Sequence, residues 1–154
     1  MIYVGVDPGA KGGVSAIDEN NEILFAVPMS RENLVNFIKK THNDIIEKND
    51  AVIACVEKVG AMPGQGVTSM FSFGKSAGYI EGVLEAFEIP YQLVPPQTWK
   101  KMFSLLRKDK KESIETCKRL FPGVNLLPTD RCRKESDGIA ESLLLSEYAR
   151  RIFK

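Results

Sequence analysis

The chain has 154 residues, of which 44% are hydrophobic and 27% are charged, and its formal net charge at pH 7 is +1. This length and composition predict one globular domain, residues 1–154, and the small net charge excludes a uniformly basic molecule. No apolar run is long enough to cross a membrane and no basic-then-apolar signal opens the chain, so we expect a cytoplasmic protein with no membrane partner.

A hairpin is predicted at the N-terminus. Residues 3–6 form an apolar, β-branched run that ends at Asp7, and after a Pro-Gly turn a second apolar run reaches Asp18. Valine and isoleucine favour strands, and the glycines between the runs allow a sharp reversal of the chain. Asp7 has two interpretations at this point. It caps the turn, as Asp before Pro-Gly often does, or it is a carboxylate held at a strand end to bind a metal ion or a phosphate.

The next elements repeat the pattern of a buried strand that ends in an acid. Residues 23–27 predict a third strand, and Ser30 is a suitable N-cap for an amphipathic helix that reaches about residue 48. The unbroken apolar run 51–56 predicts a strand buried on both faces, and Glu57 follows it directly. Two buried strands are therefore expected to end in a carboxylate.

A glycine-rich loop, residues 58–66, leads into a predicted helix that ends near residue 87. Gly74, Gly78 and Gly82 recur at every fourth position, so one face of this helix carries almost no side chains. Three glycines cost a helix roughly 1 kcal/mol each relative to alanine, which suggests that something large approaches this face. Either the protein's own sheet or a partner subunit meets this requirement.

The C-terminal half combines short elements with clustered positive charge. We predict a strand at residues 91–94, a short helix at 97–105, a helix that ends at Phe121 and a last helix that begins near 135–137. The segment 97–111 carries six cations against one anion; the cations are Lys100, Lys101, Arg107, Lys108, Lys110 and Lys111.

A second basic cluster, Arg131, Arg133 and Lys134, lies just before the last helix. Together with the segment 97–111 it indicates a surface that binds a polyanion such as nucleic acid, and the alternative is a solvated charged face.

Three acids are expected to meet in one place. The order of the predicted elements is typical of an α/β domain with a mixed sheet. Its first and fourth strands end in Asp7 and Glu57, and the last helix starts with Asp137. If that helix crosses the ends of the two strands, the carboxylates repel one another by several kcal/mol at ~4 Å, and divalent cations relieve this repulsion.

The chemistry of these ligands favours Mg²⁺ or Mn²⁺. The sole histidine, His42, lies in a polar patch of a predicted surface helix, and the three cysteines are far apart in the sequence. Oxygen ligands alone select hard divalent ions. Two such ions ~3.5–4 Å apart can hold the attacking water and the leaving oxygen of a phosphodiester in line, so we expect no covalent nucleophile and no small-molecule cofactor.

At this point the residues resemble a family. Val-Gly-Val-Asp-Pro-Gly at 4–9, the acid Glu57 and Ser-Asp-Gly-Ile-Ala at 136–140 are similar to the RuvC family of Holliday-junction resolvases, a branch of the ribonuclease H-like superfamily. The loop 57–66, followed by Phe-Ser-Phe-Gly at 71–74, resembles more specifically the RuvC-type resolvases of bacteriophages. The resemblance covers almost the whole chain.

The resemblance implies a ribonuclease H-like mixed five-stranded sheet flanked by helices. It also implies a homodimeric endonuclease that nicks two opposed strands of a four-way DNA junction with Mg²⁺ or Mn²⁺, in the cytoplasm of a bacterium or a bacterial host. Asp7, Glu57 and Asp137 fall on the metal-binding carboxylates of the family. The residues expected to contact DNA are Lys58, Met62, Lys100, Arg107, Lys108, Lys110, Lys111, Arg131 and Arg133. The residues expected at the dimer interface are Phe71, Gly74, Gly78 and Gly82.

The sequence departs from the family at two positions. Bacterial members place an acid or a histidine three residues before the final Asp, where this chain has Lys134. Glu135 or Asp130 supplies the fourth ligand, or none does, and Lys134 alternatively steadies the phosphate or the charge that develops on it. An aromatic wedge common after the second acid is replaced by Gly60, and Met62 is an apolar substitute, so we expect a loose preference for branched DNA.

Three other functions compete with this interpretation. A catalytically silent junction-binding protein would have lost its metal site through Lys134. An ATP-binding protein of the actin and sugar-kinase type also opens with a strand, an acid and a glycine turn, but it needs two such domains. A nuclease for the RNA strand of a hybrid duplex belongs to the same superfamily.

Overall fold

The computed structural model describes residues 1–48 and 50–154, and for residue 42 and residues 44–48 it describes the backbone alone. The elements in chain order are β1 (Ile2–Asp7), β2 (Gly13–Asp18), β3 (Ile23–Pro28), α1 (Arg31–Lys48), β4 (Val52–Glu57), α2 (Val67–Ala86), β5 (Tyr91–Val94), α3 (Pro96–Met102), α4 (Lys110–Leu120) and α5 (Asp137–Phe153). The N-terminal hairpin and the order of strands and helices were predicted from the sequence and are confirmed.

The five strands form one mixed sheet in the order β3-β2-β1-β4-β5. β1 pairs with β2 and β2 with β3 in antiparallel fashion, whereas β1 pairs with β4 and β4 with β5 in parallel. The predicted mixed five-stranded sheet flanked by helices is therefore confirmed. β1 lies at its centre, so the acid at the end of β1 has a strand on either side.

Side chains alternate across the strands and build a core on each face of the sheet. In β1, Val4 and Val6 pack on the face covered by α1 and α2. Tyr3 packs on the other face, against α3, α4 and α5. By the same alternation Asp7 belongs to the α5 face, and Glu57 does too because Cys55, two residues earlier in β4, packs there.

Helix α5 lies directly on the sheet because glycines remove the side chains between them. A Cβ on Gly5 would meet the backbone of Ser142 in α5, and a Cβ on Gly138 would meet the backbone of the β1–β2 turn. Gly12 and Gly138 also form an isolated bridge. Residues 138–149 of α5 are buried without interruption. This backbone contact sets the first turn of α5 against the hairpin that ends in Asp7.

The structure corrects two predictions about helices. The helix expected at residues 97–105 ends at Met102, and Ser104 has a left-handed backbone with φ of +59° that no helix continues. The glycine stripe of α2 was open to two interpretations, and contact with the protein's own sheet is wrong. A Cβ at Gly74, Gly78 or Gly82 would meet no atom within 4 Å.

Two further expectations concern the helix after β3. Ser30 caps α1, since its Oγ accepts a hydrogen bond from the backbone N–H of Asn33 at 2.9 Å. His42 was expected on the surface of this helix, and its side chain lies outside the described part of the chain. Within the part of the chain that is described, no helix has both the length and the apolar character needed to span a bilayer.

Candidate active site

The pairing of β1 with β4 sets two acids side by side. Val6 is opposite Val56 in the parallel register, so the next residue of each strand, Asp7 and Glu57, lies at the same end of the sheet. Asp7 Oδ1 accepts a hydrogen bond from the backbone N–H of Gly9 at 3.2 Å. The turn-capping interpretation of Asp7 is therefore confirmed, and this hydrogen bond engages only one of its two carboxylate oxygens.

Helix α5 adds two more acids to these strand ends. Ser136 caps the helix, because its Oγ accepts a hydrogen bond from the backbone N–H of Ile139 at 3.2 Å. This cap starts the helix at Asp137. Glu141 follows four residues later, on the same face of the helix, and only 8% of it is exposed. Four carboxylates thus come from β1, β4 and one face of α5.

The electrostatics of Asp7 show that these acids share one neighbourhood. Burial raises the pKa of Asp7 to about 7, and the nearby charges of Glu57, Glu141 and Asp137 add to the rise, while the hydrogen bond from Gly9 opposes it. Burial also raises the pKa of Glu57, and Glu141 adds to that rise. A carboxyl with a pKa near 7 is typical of a functional site, where charge is held at a cost to stability.

Two lysines and one tryptophan engage the acids in the structure. Lys110 Nζ lies 2.7 Å from Asp137 Oδ2, and Lys100 Nζ lies 3.3 Å from Glu141 Oε1. Trp99 Nε1 donates a hydrogen bond to Glu57 Oε2 at 2.8 Å. A serine of α4 completes the set, because Ser113 Oγ donates to Glu141 Oε1 at 3.0 Å.

The donor set fits a hard divalent cation by its chemistry. It consists of carboxylates whose negative charges contribute to the raised pKa of Asp7 and of Glu57, and positive charge among them would relieve that repulsion. Across the described residues, no three Asp, Glu, His or Cys side chains already form a ligand cage. Two of the four acids are engaged by lysines, because Lys100 pairs with Glu141 and Lys110 with Asp137. A cation would have to take the place of these lysines.

The other residues proposed as a fourth ligand or as a catalytic cation lie away from this cluster or at its rim. Glu135 forms an ion pair with Lys118 of α4, at 2.7 Å. Asp130 and Lys134 are exposed. Their roles stay predictions.

A cleft of 560 Å³ opens beside Asp137. Its cations are Lys11, Lys110, Arg133 and Lys134. Among the other cations expected to contact DNA, Lys100 is half-buried. The rest are exposed: Lys58, Arg107, Lys108, Lys111 and Arg131. Met62, the substitute wedge, is 63% exposed. The structure thus brings Lys110, Arg133 and Lys134 together next to the acids, and it leaves Lys58 and Met62 on the separate loop after β4.

Sequence reasoning missed Glu141, Trp99 and Ser113. One signal for Glu141 was present: an acid four residues after Asp137, within a helix whose neighbouring residues are almost all apolar. The contacts of Trp99 and Ser113 had no local signal, because each joins residues 28 or more positions apart in the chain.

No family model and no curated protein matches the chain. Thermus thermophilus RuvC in complex with a Holliday junction substrate matches with a TM-score of 0.60 at 13% identity, over 95% of this chain and 90% of that one. A second Thermus thermophilus RuvC structure matches with a TM-score of 0.57 at 16% identity, over 98% and 96% of the two chains.

A eukaryotic protein has the same architecture. The yeast mitochondrial Holliday junction resolvase Ydc2 matches with a TM-score of 0.52 at 14% identity, over 96% of this chain and 77% of that one. At these identities the likeness concerns the fold. The predicted ribonuclease H-like fold is thereby confirmed, and with it the chain's structural resemblance to the RuvC resolvases.

Proposed function

We propose that this protein is a metal-dependent, structure-selective DNA endonuclease that resolves Holliday junctions by paired nicks. The observation that carries the proposal is the gathering of Asp7, Glu57, Asp137 and Glu141 at one end of the sheet, where the pKa of Asp7 is raised to about 7. The fold supports it, since one RuvC of the same architecture was solved with a Holliday junction substrate.

Asp7, Glu57 and Asp137 are the residues that would hold Mg²⁺ or Mn²⁺, as two ions per site. We place the fourth carboxylate at Glu141 in preference to Glu135, because Glu141 is buried and its charge raises the pKa of both Asp7 and Glu57. When bound, such ions supply Lewis acidity and a water of lowered pKa for phosphodiester hydrolysis.

The lysines have a second partner in this proposal. Lys110 holds Asp137 in the structure, and a DNA phosphate is an alternative anion for the same ammonium group. Lys110 therefore exchanges a carboxylate for a phosphate as the substrate arrives. The cations of the 560 Å³ cleft, Lys11, Arg133 and Lys134, lead the strand to the acids.

A homodimer suits a substrate with two equivalent scissile strands. The glycine stripe of α2 faces open space, and Phe71 beside it is 74% exposed. Both features support the proposal that a second copy covers this face. The loop 57–66 and the motif at 71–74 support the further proposal that the protein is of the bacteriophage type of RuvC resolvase.

The test is an incubation of the protein with a labelled synthetic four-way junction in Mg²⁺ and in Mn²⁺. We expect symmetric nicks that disappear in Asp7→Asn, with a loss of at least ~100-fold for a residue that touches the ion. Asp18→Asn is the matched control, because Asp18 caps a turn at the opposite end of the sheet and its role needs no charge.

The other outcomes identify the competing functions. Junction binding without nicks in either metal indicates the catalytically silent protein. Cleavage of the RNA strand of a hybrid duplex, with intact junctions, indicates a ribonuclease. Tight binding of ATP without affinity for junctions would refute the nuclease proposal.

A further inference from the structure

Trp99 is the sole tryptophan of the chain, and it is fully buried in α3. Its ring packs edge-on against Phe103, with centroids 6.5 Å apart, inside the cluster that joins α3, α4 and α5 to the sheet. The sequence predicts only that such a residue belongs to a core. The structure adds a polar contact, since the indole N–H reaches Glu57 Oε2 at 2.8 Å.

A phenylalanine or a leucine would fill a core position without bringing a polar group into it. A buried indole N–H needs an acceptor, because an unpaired buried donor carries the full cost of its lost hydration. Here the acceptor is a carboxylate of the acidic cluster and not a backbone carbonyl. A buried donor that pairs with an acid in this way is the arrangement that holds a functional side chain in place.

The neighbouring residue of α3 acts on the same cluster. Lys100 Nζ lies 5.1 Å from the centre of the Trp99 ring and 3.3 Å from Glu141 Oε1. Consecutive residues of one short helix thus hold Glu57 and Glu141. The burial of Trp99 anchors α3 in the core. Both acids are therefore held by contacts with the same anchored helix.

We propose that Trp99 is the positioning residue of Glu57. Its indole N–H anchors Oε2 and thereby turns Oε1 towards the other acids of the cluster, where an ion would bind. A carboxylate has about four lone-pair sites, so one hydrogen bond on Oε2 leaves the other oxygen able to bind. Without the anchor, Glu57 samples several rotamers and binds an ion less tightly. This inference rests on the proposed function, because Glu57 is a ligand only in the metal-dependent nuclease.

The first test compares Trp99→Phe with Phe103→Leu. Trp99→Phe removes the donor and keeps an aromatic ring, and we expect the Mg²⁺ concentration that gives half-maximal nicking to rise about 10–100-fold. Junction affinity measured in EDTA stays at the parent value. Phe103→Leu loosens the same cluster without touching Glu57, and it keeps the Mg²⁺ dependence of the parent. An unchanged Mg²⁺ dependence in Trp99→Phe, or an equal change in both variants, refutes the positioning role.

The second test needs no activity and uses the parent indole. In a ¹⁵N-labelled sample the sole tryptophan gives one Nε1–H signal, which we expect to move upfield in Glu57→Leu and to shift when Mg²⁺ is added to the parent. An indole signal that is the same in Glu57→Leu and in the parent overturns the inference even if Trp99→Phe does not fold. If the parent nicks no junction, the proposed function fails, and the indole signal still decides whether Trp99 holds Glu57.

Discussion

Two sets of glycines on opposite faces of the sheet perform opposite tasks. On the α5 face, a Cβ on Gly5 or Gly138 would meet backbone atoms, so these glycines let a helix lie directly on strands. On the α2 face, a Cβ on Gly74 or Gly78 would meet nothing within 4 Å. The α5 side of the sheet is thus a closed face around the acids, whereas the outer, glycine-bearing side of α2 is an open face.

The same residue type therefore lets a helix lie close to the sheet in one place and leaves a helix surface accessible in another. Gly78 and Ile80 are two residues apart, or roughly 200° around the helix, and Ile80 is buried against the sheet. The glycine side of α2 therefore points away from the protein's own core. The open face is accessible to a partner, whereas the closed face holds the acids against a tightly packed helix and sheet.

The largest expected effect is on the closed face. Gly138→Ala brings a methyl group against the backbone of Lys11 and Gly12, which cannot retreat as a flexible side chain can. We expect a loss of at least ~3 kcal/mol in the free energy of unfolding, or no folding at all. Urea unfolding measures it. Gly74→Ala is the control on the open face, and equal urea midpoints for the two variants would erase the distinction between the faces.

The open face is tested by Gly78→Leu. If a second copy covers this face, the leucine overfills the contact, and analytical ultracentrifugation at micromolar concentration finds monomers. The monomer itself keeps its fold and gains up to ~1 kcal/mol from the better helix propensity of a residue other than glycine. A variant that remains dimeric places the interface elsewhere, and a parent that is already monomeric refutes the proposed homodimer.

The carboxyl of Asp7 on the closed face makes the stability of the protein depend on pH. The pKa of Asp7 is about 7 when folded, against an ordinary value of 3.8. Between these values the folded state binds more protons than the unfolded state, so stability falls as the pH rises from about 4 to 7. Asp7→Asn removes this loss and keeps an oxygen for the Gly9 N–H.

We therefore expect Asp7→Asn to raise the free energy of unfolding at pH 8 by on the order of 2 kcal/mol, a value reduced for the partial exposure of the side chain. The gain shrinks at pH 5, where the parent carboxyl is largely protonated. Urea titrations at both pH values, without divalent ions, provide the measurement. A variant that is less stable than the parent at pH 8 would show that Asp7 is a structural residue.

The smallest effect is expected at the rim of the closed face. Charge reversal of Lys110 and Lys111 weakens the binding of all DNA and reduces the slope of affinity against salt by about 1 for each lysine. Reversal of Lys39 and Lys40, exposed on α1 of the other face, is the matched control. Equal salt slopes for the two double variants would mean that DNA approaches from another side.

The acids at the strand ends could be predicted because their cause is local. An apolar β-branched run predicts a strand, and the residue after it lies at the strand end whatever the rest of the fold does. Asp7 and Glu57 were found in this way, and the Ser-Asp-Gly start of α5 led to Asp137. The fourth acid was a different problem. Glu135 and Glu141 are equally acidic in the sequence, and only the packing of α4 shows that Lys118 engages one and Ser113 the other.

The sequence by itself determined the order of the elements, the two-faced sheet and three of the four acids, because hydrophobic periodicity and caps act over a few residues. The tertiary structure decided which glycines are covered, which lysine neutralises which acid and where the indole of Trp99 points. These contacts join residues far apart in the chain, and their energies depend on burial and distance, which no local pattern contains.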